Sequence, residues 1–408
     1  MRHHLFGPVA AGLLTLVALA GCANSGAIPG LDSPASGTSG AGNSGSGTSG
    51  SAGASSSGSG SASASSGGDP SATVAPAVTV GVTGGVLVDA VIRGAAEANT
   101  GATGQYDFTP MFAPVKGYLR GSGAAICHLD SVLSPDNLDL SIAGSTTYNA
   151  PHQVATALTW AGFTTCDTAS EHALDLGMDG LAKTVTVFSR EGLGYAGPGT
   201  TQSTGHRVAL TTVGDATVAD LAYTYSLDGT TTNGAAPSTA RWLRRSLYPA
   251  VKAEGIIADA EAARKAGADY VVVSMHWGEE SAANPTQEQT DLAKALLTNA
   301  AVDLVIGTHP NAIQPCQRIN GKYVFYSLGN LLAPPTATAP SPAGLLARVS
   351  LARQPGGGLA TTAAVLPTRV DPTGFVVRPV TAEDDGQAAQ QVMDTLGLFK
   401  DCPVTPLS

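Results

Sequence analysis

The chain has 408 residues, with 21 Lys and Arg against 31 Asp and Glu, and therefore a formal net charge of −10 at pH 7. This acidic balance, together with the absence of basic runs, argues against a nucleic-acid-binding protein. The composition also changes sharply along the chain, because Gly, Ser and Ala dominate a long stretch that ends near residue 75.

The first 22 residues predict an export signal. A short basic start at Arg2 precedes an apolar run to Ala20, which is too short to span a membrane comfortably. Residues 19–22, Leu-Ala-Gly-Cys, resemble a bacterial lipobox, in which Cys22 carries lipid and becomes the mature N-terminus. This predicts an extracytoplasmic lipoprotein of the bacterial cell membrane, anchored through Cys22. The alternative is an ordinary signal peptide with a chance cysteine.

Residues 23–75 predict a disordered, flexible tether, because a Gly/Ser-rich segment with few apolar side chains cannot offset its chain entropy by burial. Residues 76–408 are long enough for one large α/β domain with a well-buried core. A lipid at Cys22 followed by this tether is typical of a domain held away from a membrane or wall surface.

In chain order, the apolar patterns of the domain predict strands that alternate with helices. Residues 312–319 and 323–328 predict a hairpin around Asn320-Gly321, a strong turn dipeptide. This alternation, with antiparallel pairs late in the chain, predicts a layered α/β fold with mixed sheets. The other predicted strands are 78–83, 124–127, 163–168, 207–213, 218–225, 271–273, 302–306 and parts of 345–380, and the predicted helices are 86–98, 154–161, 178–191, 248–266, 286–299 and about 388–398.

Residues with metal-ligand chemistry follow four of the predicted strands. His128 and Asp130 end the first, Glu171 and His172 the second, His276 the third and His309 the fourth. Since ligands gather at the carboxyl ends of strands in open α/β sheets, these side chains predict one site. Imidazole and carboxylate together suit Zn, Mn or Fe. The sequence therefore predicts one or two divalent metal ions, a common device for phosphoester hydrolysis.

From residue 78 to about 332 the chain resembles the CapA (poly-gamma-glutamate capsule biosynthesis) family, which has a calcineurin-like metallophosphoesterase fold. Four segments carry this resemblance: 125–130 with 133–137, 169–175, 276–280, and 303–331. The last contains Gly-Thr-His-Pro at 307–310 and Tyr-Ser-Leu-Gly-Asn-Leu at 326–331. The resemblance implies a four-layer α/β/β/α sandwich with mixed β-sheets, and work on a capsule or polyglutamate polymer.

The chain departs from the family pattern at four positions. Gly85 stands where the family usually has Asp, and Asp130 where it usually has the longer Glu. Glu171 replaces the Asn that usually precedes the histidine of the third motif, and Asn311 replaces a second histidine of the fifth. If the family site binds metal, Glu171 could partly replace the missing Asp, and Asp89 could do so less easily.

The resemblance implies a role for each matching residue. The implied metal ligands are Asp130, Glu171, His172, His276 and His309, of which His172, His276 and His309 are also implied to be catalytic. The implied pocket residues are His128, Trp277, Glu279, Asn311 and Asn330. For His276 and His309, the alternative is a strand-end imidazole bonded to a backbone carbonyl. Trp277 is interpreted as core or pocket wall rather than as a recognition platform.

Four cysteines lie beyond Cys22, which is compatible with two disulfides in an exported chain and with three pairings. Related extracytoplasmic sequences place cysteines where Cys127 and Cys166 stand, so the resemblance implies that these two pair. That leaves Cys316 to pair with Cys402. The alternative for Cys127 and Cys166 is that they are buried small hydrophobic residues.

Two classes of function remain open. The first is a metal-dependent hydrolase that acts on a phosphoester or an envelope polymer, with one or two metal ions. The second is a non-catalytic relative with a degraded site and no metal, which binds or anchors an anionic or glycan envelope polymer. The acidic balance does not favour direct capture of a polyanion unless a metal or a local basic patch intervenes.

Overall fold

A computed structural model describes residues 74–230, 234–334 and 343–407. The predicted export signal, the lipobox with Cys22 and nearly all of the predicted tether lie outside the described residues. The α-helices are α1 (Ala90–Thr100), α2 (Thr109–Phe112), α3 (Lys116–Arg120), α4 (Gln153–Ala161), α5 (Gly177–Glu191), α6 (Tyr248–Lys265), α7 (Gln287–Thr298) and α8 (Ala382–Leu396). Short 3-10 helices cover Ala113–Val115, Arg241–Ser246 and Gly397–Phe399.

Strands make up the rest of the regular structure. They are β1 (Val78–Val86), β2 (Ala124–Leu129), β3 (Val132–Ser134), β4 (Asn149–Pro151), β5 (Thr165–Asp167), β6 (Gly194–Pro198), β7 (His206–Arg207), β8 (Ala209–Val213), β9 (Ala216–Thr224), β10 (Tyr270–His276), β11 (Leu304–Thr308), β12 (Cys316–Ile319), β13 (Lys322–Phe325), β14 (Asn330–Leu332), β15 (Ala343–Arg353), β16 (Leu359–Val370), β17 (Val377–Pro379) and β18 (Val404–Pro406).

Two mixed sheets form the centre of the domain. The larger has the strand order β17-β16-β15-β1-β2-β5-β6-β7, with β14 beside β1 and β18 beside β16. The smaller has the order β12-β13-β11-β10-β9-β8. In the larger sheet β1, β2, β5 and β6 are parallel, and in the smaller β9, β10, β11 and β13 are parallel, while the edge strands β8 and β12 are antiparallel.

Three large apolar clusters give the order of the layers. One fills the space between the two sheets and includes Val80 of β1 and Val272 of β10. A second packs α1, α4 and α5 on the outer face of the larger sheet, and a third packs α6 and α7 on the outer face of the smaller. The architecture is therefore a four-layer α/β/β/α sandwich with mixed sheets, which confirms the predicted fold class.

The start of the domain differs in detail from its sequence pattern. Strand β1 runs through Gly84 and Gly85 to Val86, which pairs with Leu129 of β2, so no helix begins at 86. Helix α1 begins at Ala90 because the side chain of Asp89 caps it, accepting hydrogen bonds from two backbone N–H groups. Glycine in a strand interior often marks a close backbone approach, and Gly84 lies against the Gly329 backbone.

Other predictions hold closely. The hairpin of β12 and β13 turns at Asn320 and Gly321, which have φ angles of 53° and 77°. Cys127 is paired with Cys166, and Cys316 with Cys402. Within the described residues, no helix combines the length and apolar character needed to cross a membrane.

Candidate metal centre

The candidate site lies where parallel strands of both sheets end. The larger sheet brings His128 at the end of β2 and Glu171 in the loop after β5. The smaller sheet brings His276 at the end of β10 and His309 directly after β11. In the register of the smaller sheet, His276 lies opposite Thr308 of β11 and Thr224 of β9. Residues far apart in the chain therefore meet because both sheets present the carboxyl ends of their parallel strands here.

Two overlapping groups of side chains have the spacing of metal ligands. The first comprises His128, Asp130 and His276, and the second comprises Glu171, His276 and His309. In each group, the nitrogen and carboxylate oxygen atoms that could bind a metal all lie within 4.8 Å of one another. His276 belongs to both groups, so it lies at the centre of the site.

His128 is oriented by a buried carboxylate. Its Nδ1 atom donates a hydrogen bond to Asp167 Oδ1 at 2.6 Å, while its buried Nε2 atom has no hydrogen-bond partner among the described residues. Burial lowers the pKa of His128, but Asp167, with smaller contributions from Asp130 and Glu171, outweighs burial and raises it to about 9. An orphaned, buried nitrogen that faces other ligand-type groups fits a divalent cation, which would take the place of the proton.

Glu171 joins the other two histidines. Its carboxylate accepts a hydrogen bond from His276 Nε2 and another from His309 Nδ1, the latter at 3.0 Å. Burial raises the pKa of Glu171, but the two imidazoles outweigh burial and hold it well below its usual range. Burial also lowers the pKa of His276 more than Glu171 raises it. Glu171 is therefore an ionised carboxylate placed between two imidazoles, a combination of groups that binds metals.

Asp130 completes the first group. It follows β2, its backbone N–H donates to Val86, and its carboxylate accepts a hydrogen bond from the Ser170 hydroxyl. Asp130 is only 6% exposed. Among the described residues, no Lys or Arg forms an ion pair with Asp130, Glu171 or Glu280. The partners of Asp130 and Glu171 in the site are thus imidazoles, which can exchange a proton for a metal cation.

His172 lies beside the site but belongs to neither ligand group. Its Nδ1 atom donates to the Asp175 carboxylate at 3.0 Å, and its ring packs edge-on against Tyr148. Burial lowers its pKa, but Asp175 and then Asp130 raise it to about 9. Its predicted role as a ligand and catalytic residue stays a prediction.

The structure shows the contacts of Gly85 and Asn311, where this chain departs from the family pattern, and of Asp89, the alternative carboxylate. A Cβ atom on Gly85 would lie 2.9 Å from Asn330 Oδ1 and 3.7 Å from His128 Cδ2, so this position borders the site. The side chain of Asp89 caps α1, so Asp89 does not replace the carboxylate that is missing at position 85. Asn311 has a φ angle of 57° and accepts a hydrogen bond from Asn330 Nδ2 at 3.0 Å.

Two predicted pocket residues are placed elsewhere. Trp277 is 1% exposed and lies in the apolar cluster beneath α6 and α7, where its Nε1–H donates to the Tyr326 carbonyl. It is therefore core rather than pocket wall, because successive side chains at a strand end face opposite sides of the sheet. Glu279 and its neighbour Glu280 are both exposed, and Glu280 Oε1 lies 3.5 Å from Asn311 Nδ2.

Three residues near the site were not predicted. Asp167 orients His128, and Glu280 approaches Asn311. The ring of Tyr225 lies 4.8 Å from that of His309 and is stacked on His276 at 6.1 Å. Burial, then Glu171, Asp130 and Glu280, raise the pKa of the Tyr225 hydroxyl. The only sequence signal was that Asp167 and Tyr225 both stand at the ends of predicted strands.

Residues 79–335 match the family described as bacterial capsule synthesis protein PGA_cap. This match covers more than half of the chain. The chain belongs to the PGA_cap family. The capsule biosynthesis protein CapA of Bacillus anthracis is 30% identical over 230 residues, and the PGA biosynthesis protein CapA of Bacillus subtilis is 33% identical over 172 residues. These alignments cover 56% and 42% of this chain.

The chain spans about half the length of the curated relatives it matches, 54% and 42% of the two CapA proteins. Among solved structures, a calcineurin-like phosphoesterase from Bacillus subtilis superposes with a TM-score of 0.42 at 11% identity, over 78% of this chain and 99% of that chain. The family membership predicted from the sequence motifs is confirmed.

Proposed function

We propose that this PGA_cap protein is a metal-dependent hydrolase that acts in the synthesis, export or processing of a capsule polymer of the poly-gamma-glutamate type. The observation that carries the proposal is the pair of ligand groups that share His276. The names of the two CapA relatives, which refer to capsule and PGA biosynthesis, support the choice of polymer.

The residues of the site divide into those that would hold a metal and those that position them. His128, Asp130, Glu171, His276 and His309 would hold one or two ions of Mn, Zn or Fe. A bound ion of this kind supplies an activated water and neutralises charge on the substrate. Asp167 fixes the ring of His128, and Thr308 Oγ1, 3.2 Å from His276 Nδ1, does the same for His276.

A membrane anchor is part of the proposal. Cys22 would carry the lipid, and the 23–75 segment would give the domain reach from the bacterial membrane to a polymer outside the cell. Replacing Cys22 by Ser is expected to move the protein from the membrane fraction to the soluble fraction. Retention in the membrane fraction, with unchanged metabolic labelling by a fatty acid, would contradict the anchor.

Metal analysis tests the hydrolase directly. The purified full chain is expected to contain Mn, Zn or Fe near stoichiometry, and to lose most of it on His276→Ala, because that residue serves both ligand groups. His152→Ala is a matched control, since His152 lies on the α4 side of the larger sheet, away from both groups. Metal-free protein whose melting temperature does not respond to a chelator would end the proposal.

One observation favours a second candidate. Gly85 offers no carboxylate beside His128, which supports a relative that keeps the fold but has a degraded metal site. Such a protein would bind or anchor an envelope polymer without cleaving it. The two candidates are separated by incubating the full chain with polyglutamate in the presence and absence of chelator. Retention without cleavage in both conditions favours the binder, and chelator-sensitive shortening of the polymer favours the hydrolase.

A further inference from the structure

A cavity of about 420 Å³ lies beside the candidate metal centre. The walls of this cavity, the α8 cavity, come from the loop after β11, the end of β16 and helix α8. The side chains that matter for its chemistry are Asn311, Ile313, Thr368, Arg369, Gln391 and Val392. The volume falls within the range of about 300–1,000 Å³ that is usual for small-ligand sites.

The α8 cavity is connected to the metal centre by direct contacts. Asn311, which lines the cavity, follows the candidate ligand His309 by two residues and accepts a hydrogen bond from Asn330. Asn330 in turn lies against Gly85, and a Cβ atom there would be 3.7 Å from His128. Asn311 and Asn330 therefore link the wall of the cavity to the ligand cluster.

The lining of the cavity combines one cation, Arg369, one carboxylate, Asp385, amides and an apolar wall. The Arg369 guanidinium and the Asp385 carboxylate form an exposed ion pair at 3.6 Å, so a ligand carboxylate would compete with Asp385 for the guanidinium. Asp385 itself is engaged at its other oxygen by the backbone N–H of Ala388 at 3.1 Å. Ile313 and Val392 supply apolar surface, and Asn311 and Gln391 supply amides.

Thr368 contributes to the wall of the cavity. It is 1% exposed, and its hydroxyl lies against the backbone of Gly344, where an added Cβ atom would be 2.8 Å from Oγ1. The wall that contains Thr368 and Arg369 also lies beyond residue 335, where the family match ends.

We propose that the α8 cavity binds one γ-linked glutamyl unit of an anionic chain whose neighbouring bond lies at the metal centre. Each such unit carries a carboxylate for Arg369, an amide for Asn311 and Gln391, and methylene groups for Ile313 and Val392. This inference rests on the proposed function, because it takes the same polymer as its ligand. It adds a binding site that the C-terminal part of this chain contributes.

The test is calorimetric titration of the full chain with a γ-linked glutamate hexamer. Ala388→Trp fills the cavity and Arg369→Gln removes its cation, and each is expected to weaken binding about tenfold or more. Ala382→Trp, at an exposed position of the same helix, and Arg378→Gln, on the adjacent strand, are matched controls that should bind like the wild type. Circular dichroism checks that each variant is folded.

Wild-type affinity in folded Arg369→Gln would overturn the inference, as would a wild-type chain that does not bind the hexamer. If Ala388→Trp does not fold, the inference is still tested by Arg369→Gln, which is a conservative change at an exposed position. The outcome is separate from that of the proposed function, which is judged by metal content and polymer cleavage. A protein that contains metal and cleaves polymer, yet binds the hexamer equally well in every variant, would refute the cavity alone.

Discussion

His128 donates a hydrogen bond to Asp167 at 2.6 Å, one position after the disulfide that joins Cys127 to Cys166 on the same two strands. The register of β2 and β5 places both pairs side by side. Because the carboxylate can only accept, it fixes a proton on Nδ1 and leaves Nε2 as the atom that a metal would bind. A covalent link and a charged hydrogen bond thus hold one side of the candidate site.

The first prediction concerns Asp167, the hydrogen-bond partner of the candidate metal ligand His128. Asp167→Asn replaces an acceptor by an amide that can also donate, so the ring of His128 loses its fixed orientation. We expect the affinity for Mn or Zn to fall about 10–100-fold, as is usual for lost outer partners of metal-bound histidines. Competition with a chromogenic chelator measures this, and Asp215→Asn, at the exposed β8–β9 turn, is the control. Equal affinity in both variants would contradict an orienting role for Asp167.

The second prediction uses two adjacent glycines. In Gly85→Asp, the only close approach of the new Cβ atom is to the movable side-chain oxygen of Asn330, and the added carboxylate lies beside His128. We expect folded protein that binds metal about tenfold or more tightly, since even outer partners change affinity by this much. In Gly84→Ala, the Cβ atom would lie 2.2 Å from the backbone oxygen of Gly329. This overpacking is expected to cost about 3 kcal/mol of unfolding free energy.

Urea unfolding and metal titration of both variants check the second prediction. Unchanged metal affinity in folded Gly85→Asp would mean that position 85 does not face the metal, and would weaken the link between the site and the family pattern. A fully stable Gly84→Ala would mean that the backbone of Gly329 can move away.

The third prediction concerns the disulfide between Cys127 and Cys166, which are 39 residues apart. Replacing both by Ala is expected to lower the unfolding free energy by about 4 kcal/mol, because an unfolded chain without the link has more conformational entropy. Replacing Cys316 and Cys402, which are 86 residues apart, by Ala is expected to lower the unfolding free energy slightly more. The extra loss is less than about 1 kcal/mol, because the entropy of a closed loop grows slowly with its length. Denaturant unfolding measures both. A reducing agent should remove the difference between wild type and variants, and a persistent difference would point to packing instead.

The fourth prediction concerns His206, which is buried against Tyr223 and lies with Nδ1 3.1 Å from the Ser246 hydroxyl. Burial lowers its pKa to about 4. Between pH 6.5, the ordinary histidine pKa, and about 4, the unfolded state therefore binds a proton that the folded state does not. Stability is thus full above pH 6.5 and falls as the pH drops, by about 3 kcal/mol in total.

His206→Gln, which cannot be protonated, tests this fourth prediction. The difference in unfolding free energy between wild type and variant should shrink or reverse as the pH falls from 7 to 4, because only the wild type loses this contribution. A difference that is independent of pH would show that His206 keeps the same proton in both states.

Much of the fold was predictable because its signals are local. The apolar run of β10, the turn dipeptide Asn320-Gly321 and the alternation of strands with helices each depend on neighbouring residues. The start of α1 was predicted four residues too early, since the pairing of Val86 with Leu129 is a contact with another strand. Local pattern cannot report such a contact.

The sequence by itself determined which residues carry metal-ligand chemistry at strand ends, among them His128, His276 and His309. Only the tertiary structure decided which of them meet. It placed Glu171 between His276 and His309, turned His172 toward Asp175, and buried Trp277 in the core. The physical reason is that the contacts between these side chains depend on the order and register of strands in two separate sheets. No stretch of neighbouring residues encodes that order or register.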